Sequence, residues 1–176
     1  MKFLEKAIVK VGAEVADAEG AIEEAGNLLI QEGLIERSYM EAMKDSYKEN
    51  GPYFVLAPSI AIPHARPEDG VNEASVSFVQ LKKPVIFGHS SNDPVRLVFG
   101  LGASSSDEHL TLLRKLTALL NDSANVERLT TATSYEDIKK HIRNGAISDD
   151  EGINSLWIRT RNKFDFENEC GTSFIR

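Results

Sequence analysis

Residues 57–71 of this chain read APSIAIPHARPEDGV, with one histidine, His64, near the centre. Pro58, Pro63 and Pro67 each hold φ near about −65° and each lack a backbone N–H. The residue before each proline is pushed toward an extended conformation as well. The sequence therefore predicts a stiff, extended segment around His64, which suits a reacting side chain that must be held in place. A histidine in an ordinary turn between a strand and a surface loop fits the same pattern.

Upstream of this stretch the sequence predicts one strand and two helices. Apolar and β-branched residues indicate an opening strand over 6–15. Asp17 is a suitable cap for a helix over 18–32, whose apolar residues recur with the 3.6-residue helical period. Ser38 and Glu41 have the spacing of a capping box, which predicts a second helix with Ser38 as its N-cap.

Further strands and helices are predicted around and after the stretch. Apolar, β-rich runs indicate three strands, over 53–57, 76–81 and 95–101. Ser106 is the expected cap of a helix over 107–121. The residues of that helix predicted to face inward are Leu110, Leu113, Thr117 and Leu120. Two shorter helices are expected at 125–129 and 135–143.

This order of elements predicts an α/β fold. We expect a three-layer α/β/α sandwich with a central mixed sheet of about four or five strands and helices on both sides. The compact domain is expected to span residues 1–145, and no structure is predicted for a C-terminal tail over 146–176.

Composition and charge exclude several classes of function. The net charge of −7 argues against a nucleic-acid partner, because such a binder needs a basic face. The apolar runs are too short and too interrupted to cross a bilayer. The start at Met1-Lys2-Phe3 lacks the pattern of a secretory signal, and the single Cys170 excludes an internal disulfide. We therefore expect a cytoplasmic protein whose partners are proteins or small molecules.

His64 has the chemistry of a nucleophile. A neutral imidazole carries one nitrogen lone pair near pH 7, while a hydrogen bond can hold the other nitrogen. Phosphoryl transfer then requires in-line positioning and donors for three charged oxygens. Arg66 lies two residues on and would share the face of His64 on an extended chain. A solvated Arg66, or one paired with Glu68 or Asp69, fits the sequence as well.

The remaining histidines differ in their settings. His109 falls in the first turn of the helix predicted after Ser106, where an anion is favoured, so it is a candidate donor to the same anion. An exposed histidine at a helix start is the alternative. His89, in a turn-like run, and His141, on the last helix, are expected at the surface. Their spacing is not that of a metal site, so we expect no metal and no cofactor.

The phrase Ile60-Ala61-Ile62-Pro63-His64 resembles the signature around the phosphorylated histidine of a bacterial protein family. The family comprises the EIIA domains of the phosphoenolpyruvate-dependent sugar phosphotransferase system, of the mannitol and fructose type. The runs 51–53, 57–58 and 65–71 resemble its ascorbate-specific branch. The resemblance spans about residues 1–145 and implies the same α/β fold.

The resemblance implies a phosphotransferase that works as a relay. The phosphohistidine of HPr would phosphorylate His64, which would pass the phosphoryl group to a cysteine of an EIIB partner. The sugar, L-ascorbate in the branch that the chain resembles, is phosphorylated later in the membrane permease, EIIC. His109 matches the second active-site histidine, which helps to hold the phosphoryl oxygens. An alternative function is a regulatory binding module whose phosphorylation state controls a transporter or transcription factor.

The chain departs from the family pattern at two places. Ser59 stands where the signature has glycine, which would restrict the backbone or add a hydroxyl donor near the phosphate. Mannitol-type members have an arginine upstream of the signature, whereas this chain has Lys48 and Glu49 there. Arg66 is the candidate to replace that arginine.

Overall fold

The structure, a computed structural model, describes residues 1–145, so the predicted tail over 146–176 lies outside the described residues. Two 3-10 turns, Lys6–Ile8 and Pro67–Asp69, accompany the strands and helices. None of the helices in the described part of the chain is long and apolar enough to cross a membrane. The elements are β1 (Lys2–Phe3), β2 (Val9–Ala13), α1 (Ala18–Gln31), α2 (Arg37–Asn50), β3 (Ile60–Ala61), β4 (Ser75–Val76), β5 (Phe78–Val85), β6 (Val95–Val98), β7 (Leu101–Gly102), α3 (Ser106–Leu120), α4 (Ser123–Thr131) and α5 (Tyr135–Gly145).

The strands form two mixed sheets. The larger sheet has the order β2-β5-β6-β3, in which β5 and β6 are antiparallel and the two outer pairs are parallel. The smaller sheet has the order β1-β4-β7, with β1 parallel and β7 antiparallel to β4. Only Ser77 separates β4 from β5, and only Phe99 and Gly100 separate β6 from β7. The predicted α/β class with a mixed sheet is confirmed.

Helices cover both faces of the larger sheet. Strand β5 alternates accordingly: Val79 and Leu81 pack with α1 and α2 in one hydrophobic core, and Phe78 packs with α3, α4 and α5 in the other. Gln80 points to the second face, where its Nε2 donates to the carbonyl of Leu129 at the end of α4, 2.9 Å away. The two cores on opposite faces make the three layers that the element order predicts.

The predicted strand over 53–57 is wrong. The segment forms a turn in which the Val55 N–H donates to the Pro52 carbonyl at 3.1 Å, and the strand in this region is instead β3, residues 60–61. Phe54 and Val55 are fully buried, so the apolar run reflects burial in the core rather than sheet formation.

The helix caps near the N-terminus correct one prediction. Asp17 caps α1 as expected, its Oδ1 accepting the Gly20 N–H at 2.8 Å. Ser38 does not cap α2, because that helix begins one residue earlier, at Arg37. The Ser38 hydroxyl donates instead to the carbonyl of Asp69 at 2.7 Å and so ties α2 to the turn that follows His64.

Helix α3 differs from the helix predicted from the sequence in its N-cap and in the residues that it buries. Ser105, not Ser106, is the N-cap, and its Oγ accepts the Glu108 N–H at 3.2 Å. Leu110, predicted to face inward, is 40% exposed. The helical period is as predicted, but the buried stripe is centred one residue earlier than the predicted one. The buried residues of α3 are His109, Leu112, Leu113, Leu116, Leu119 and Leu120.

Candidate active site

His64 lies just beyond β3, in a segment held by neighbouring backbone on both sides. Strand β3 runs parallel to β6, and the Ile62 N–H donates to the Phe54 carbonyl at 2.9 Å. The Leu101 N–H donates to the Pro63 carbonyl at 3.0 Å. The stiff, extended segment that the prolines predict is therefore fixed in the sheet, and His64 itself is only 2% exposed.

A hydrogen bond within this segment sets the tautomer of His64. The Nδ1 atom lies 2.8 Å from the carbonyl oxygen of Ile62. A carbonyl oxygen only accepts, so Nδ1 carries the hydrogen, and in the neutral ring the lone pair is on Nε2. The nucleophilic atom of this imidazole is therefore Nε2.

Burial keeps the two site imidazoles neutral. It lowers the pKa of His64, an effect that the bond to the Ile62 carbonyl only partly opposes. Burial, and next the positive charge that His64 carries when it is protonated, lowers the pKa of His109 to about 4. At pH 7 each ring consequently has one N–H and one lone pair.

His109 is brought against His64 by the first turn of α3. The ring centroids lie 5.2 Å apart, with the ring planes inclined at 59°. His109 is 6% exposed, and its backbone N–H donates to the carbonyl of the Ser105 cap at 3.0 Å. The N-terminal end of α3, which favours negative charge, is thus close to His64. The structure brings together the two histidines that the sequence singled out.

A pocket of about 300 Å³ opens beside His64, between α2 and the turn after the histidine. Its charged lining consists of the carboxylates of Asp45, Glu49 and Asp69 and the guanidinium of Arg66. Arg66 is exposed, and its guanidinium makes no ion pair with any residue in the range 1–145. The Asp69 carboxylate accepts the Arg66 backbone N–H at 3.0 Å instead. Of the alternatives that the sequence leaves open for Arg66, the ion pair with Glu68 or Asp69 is not seen among residues 1–145.

Comparison with known proteins identifies the family of this chain. The family described as "Phosphoenolpyruvate-dependent sugar phosphotransferase system, EIIA 2" matches residues 2–145. The chain belongs to this EIIA family. It is an EIIA component of a sugar phosphotransferase system, and the resemblance found in the sequence is confirmed.

Individual relatives of this EIIA chain agree in sequence and in fold. The ascorbate-specific PTS system EIIA component of Salmonella typhimurium is 34% identical over 131 residues, covering 74% of this chain and 85% of that protein. The mannitol-specific cryptic enzyme IIA CmtB of Escherichia coli has a TM-score of 0.73 at 33% identity, covering 81% and 96%. Enzyme IIA-Mtl of E. coli, solved in complex with phosphorylated enzyme IIB-Mtl, has a TM-score of 0.71 at 34% identity, covering 81% and 99%.

Ser59 lies away from the site of this EIIA chain. It precedes β3, whereas His64 follows that strand, and its carbonyl accepts the N–H groups of Arg96 and Leu97 at 2.9 and 3.0 Å. Its φ of +69° is the left-handed conformation that glycine adopts most easily. Serine therefore keeps the glycine-type backbone.

Lys48 also points away from the site. Its Nζ lies 3.5 Å from a carboxylate oxygen of Glu19 on α1. Glu49, the next residue, lines the pocket instead. Of the cationic residues considered from the sequence, the structure places only Arg66 beside His64.

The sequence did not point to two tyrosines that contact the His64 segment. The Tyr53 ring lies edge-on to the His64 ring, with centroids 5.6 Å apart and planes inclined at 80°. Tyr39, on α2, is 1% exposed, and its hydroxyl accepts the Ala65 N–H. A tyrosine at a buried helix position needs a partner for its hydroxyl, and this is the signal that could have revealed Tyr39.

The described residues offer no metal centre. Within residues 1–145 no group of three or more His, Cys, Asp or Glu side chains is placed to hold a metal ion. His89 is half-buried in the loop before β6, where its Nδ1 accepts the N–H groups of Ser91 and Asn92 at 3.2 and 3.0 Å. The Nδ1 atom of His89 is therefore used in hydrogen bonds within its own loop.

Proposed function

We propose that this chain is a phosphocarrier in which Nε2 of His64 accepts a phosphoryl group from the phosphohistidine of HPr and passes it to a cysteine of an EIIB protein. The observation that carries the proposal is the 2.8 Å hydrogen bond from Nδ1 of His64 to the Ile62 carbonyl. It leaves the lone pair of a buried, neutral imidazole on Nε2, beside a second neutral imidazole. The membership in the EIIA family supports the phosphoryl group as the cargo.

The chemistry consists of two displacements at phosphorus. In the first, the lone pair of His64 Nε2 attacks, the Nε2–P bond forms, and the P–N bond of phospho-HPr breaks with its electrons returning to the HPr imidazole. In the second, a cysteine thiolate of EIIB attacks, the S–P bond forms, and the Nε2–P bond breaks with its electrons returning to Nε2. The hydrogen stays on Nδ1 throughout and remains bonded to the Ile62 carbonyl oxygen, which stabilises the positive charge that the phosphorylated ring carries.

Two side chains are proposed to hold the phosphoryl oxygens. His109 lies against His64 at the start of α3 and offers one N–H in its neutral form. Arg66 lines the adjoining pocket with an exposed guanidinium and takes the place of the upstream arginine found in mannitol-type members. Such positioning and charge stabilisation is most of what phosphoryl transfer needs.

The acidic lining of the pocket favours a protein donor over a small phosphorylated molecule. Asp45, Glu49 and Asp69 repel a diffusing anion, whereas a protein can bring cationic groups together with its phosphohistidine. The proposed acceptor follows E. coli enzyme IIA-Mtl, whose complex holds phosphorylated enzyme IIB-Mtl.

L-Ascorbate is the proposed sugar, on the likeness to ascorbate-specific EIIA components. The sugar itself is phosphorylated in the permease, EIIC, so its identity is set by the EIIB and EIIC partners. We assign the carrier function to residues 1–145 and place it in the cytoplasm, where HPr acts.

The experiment is reconstitution with phosphoenolpyruvate, the general transfer enzyme of the system and HPr. We expect the full chain to gain one acid-labile phosphoryl group by mass spectrometry, and the His64→Gln variant to gain none. His89→Gln is the matched control, since it removes a histidine outside the site, and it should be phosphorylated normally. An unmodified wild-type chain, or a phosphorylated His64→Gln chain, would overturn the proposal.

A further inference from the structure

The peptide group that joins His64 to Ala65 is bound at both of its polar atoms by tyrosine hydroxyls. The Tyr53 hydroxyl donates to the carbonyl oxygen of His64 at 3.3 Å. The Ala65 N–H donates to the hydroxyl oxygen of Tyr39 at 3.0 Å. The two tyrosines come from different parts of the chain, α2 and the turn that follows it. The peptide directly after the proposed nucleophile is thus held from two sides.

Tyr39 links this peptide to the sheet. Its hydroxyl lies 2.8 Å from the carbonyl oxygen of Leu101 in β7, to which it donates. The Leu101 N–H in turn donates to the Pro63 carbonyl. Burial raises the pKa of Tyr39, so the hydroxyl keeps its proton at neutral pH. Tyr39 and Leu101 together fasten the backbone on both sides of His64.

Tyr53 acts on the ring as well as on the backbone. Its hydroxyl lies 3.0 Å from the Ser46 hydroxyl of α2, and the Asn50 amide donates to Ser46 at 3.4 Å. A chain of polar groups along α2 therefore orients the Tyr53 hydroxyl toward the His64 carbonyl. Its ring also lies edge-on to the imidazole of His64.

We propose that Tyr39 and Tyr53 are positioning residues that keep the His64 imidazole on the Ile62 carbonyl and so present Nε2 to phosphorus. The proposal rests on the proposed function, in which Nε2 is the reacting atom. This peptide and the imidazole are both attached to the Cα of His64. A shift of that Cα would carry the imidazole away from the Ile62 carbonyl, and either nitrogen could then take the hydrogen. A displacement of about 1 Å at a reacting atom costs on the order of 100-fold in rate.

Both tyrosines also stabilise the fold, so the test compares variants that lose the same kind of hydroxyl. Tyr39→Phe and Tyr53→Phe each remove one bond to the His64–Ala65 peptide and keep the ring. Tyr47→Phe is the matched control, because the Tyr47 hydroxyl on α2 donates to the Phe87 carbonyl at 2.6 Å, outside the His64 segment. Tyr53 is half-buried, so its variant is expected to fold even if Tyr39→Phe does not.

Two measurements on the full chain separate positioning from stability. One is the single-turnover rate of phosphoryl transfer from phospho-HPr, measured against HPr concentration. The other is the ¹⁵N chemical shifts of the unphosphorylated His64 ring, which report the tautomer. We expect the saturating transfer rate of both Phe variants to be about 10- to 100-fold lower, while the HPr concentration at half-saturation changes little. The ¹⁵N shifts should show a mixture of the Nδ1–H and Nε2–H tautomers of His64. Tyr47→Phe should match the wild type in both.

A wild-type saturating rate and a pure Nδ1–H tautomer in both Phe variants would overturn the proposal, whatever their unfolding midpoints. An equal loss of rate in Tyr47→Phe would overturn it too, because the effect would then follow stability alone. Failure of the wild-type chain to accept phosphate would refute the proposed function instead. The tautomer measurement needs no phosphate, so it still decides whether the tyrosines position the ring.

Discussion

His64 and His109 lie with their ring centroids 5.2 Å apart, although one follows the edge strand β3 and the other lies in the first turn of α3. Both rings are buried, and burial is the main cause of the lowered pKa of each. In the proposed reaction the site therefore pairs a neutral nucleophile, His64, with a neutral N–H donor, His109.

Loss of the His109 side chain should slow transfer without abolishing it. We expect His109→Gln to lower the saturating rate of phosphorylation by about 10- to 1000-fold, because one donor to the developing charge on the phosphoryl oxygens is removed. Single-turnover kinetics with phospho-HPr measure the effect, with His89→Gln as control. Transfer at the wild-type rate would mean that His109 has a structural role only.

Stability should depend on pH through His109. Its pKa is about 4 in the folded chain, against an ordinary value of 6.5. Between these values the unfolded chain binds a proton that the folded chain does not, so the free energy of unfolding falls as the pH is lowered. From pH 7 to pH 5 His109 should account for a loss of about 2 kcal/mol.

Urea unfolding of the wild type and of His109→Gln at the two pH values tests this contribution. The variant lacks the His109 titration, whereas His64 titrates in both proteins, so the variant should lose less stability on acidification. An equal loss in the two proteins would contradict the assignment of this pH dependence to His109.

Arg66 should contribute less than His109, because its guanidinium is exposed to water. We expect Arg66→Ala to lower the transfer rate by about tenfold at low ionic strength, with a smaller effect as salt is added. Arg128→Ala removes an exposed arginine on α4, in the opposite helical layer, and serves as the control. If the two variants transfer equally fast, Arg66 does not hold the phosphoryl group.

Replacement of Ser59 by glycine should stabilise the fold and leave transfer unchanged. The φ of +69° strains any residue with a Cβ, and glycine removes that strain at the cost of a more flexible unfolded chain. The net gain should be up to about 1 kcal/mol in the free energy of unfolding. A large change in the rate of phosphorylation would place Ser59 in the site after all.

The sequence predicts most of the fold because the helices and the buried strands have clear periods. The periodic apolar residues of α1 and the prolines around His64 are local features, which can be recognised directly in the sequence. The turn at 53–57 was missed because Phe54 and Val55 are buried by tertiary packing, which an apolar run alone does not distinguish from a strand. The cap of α3 was placed one residue late because Ser105 and Ser106 are equally suitable caps.

The candidate site is legible in the sequence only in part. His64 and His109 stand out because one lies in a rigid segment and the other at a helix start. The contacts of Tyr39 and Tyr53 with the His64–Ala65 peptide depend on how α2 packs on the sheet, which no local pattern encodes. The position of Ser59 before β3, with His64 beyond it, likewise depends on the strand forming at residues 60–61 rather than at 53–57.

The central claim is that Nε2 of His64 is the phosphoryl acceptor. The most direct test is ¹⁵N and ³¹P NMR of the labelled full chain after incubation with phosphoenolpyruvate, the general transfer enzyme and HPr. We predict a single phosphohistidine, with phosphorus on Nε2 of His64 and the hydrogen retained on Nδ1. Phosphorus on Nδ1, on His109 or on no histidine would contradict the account.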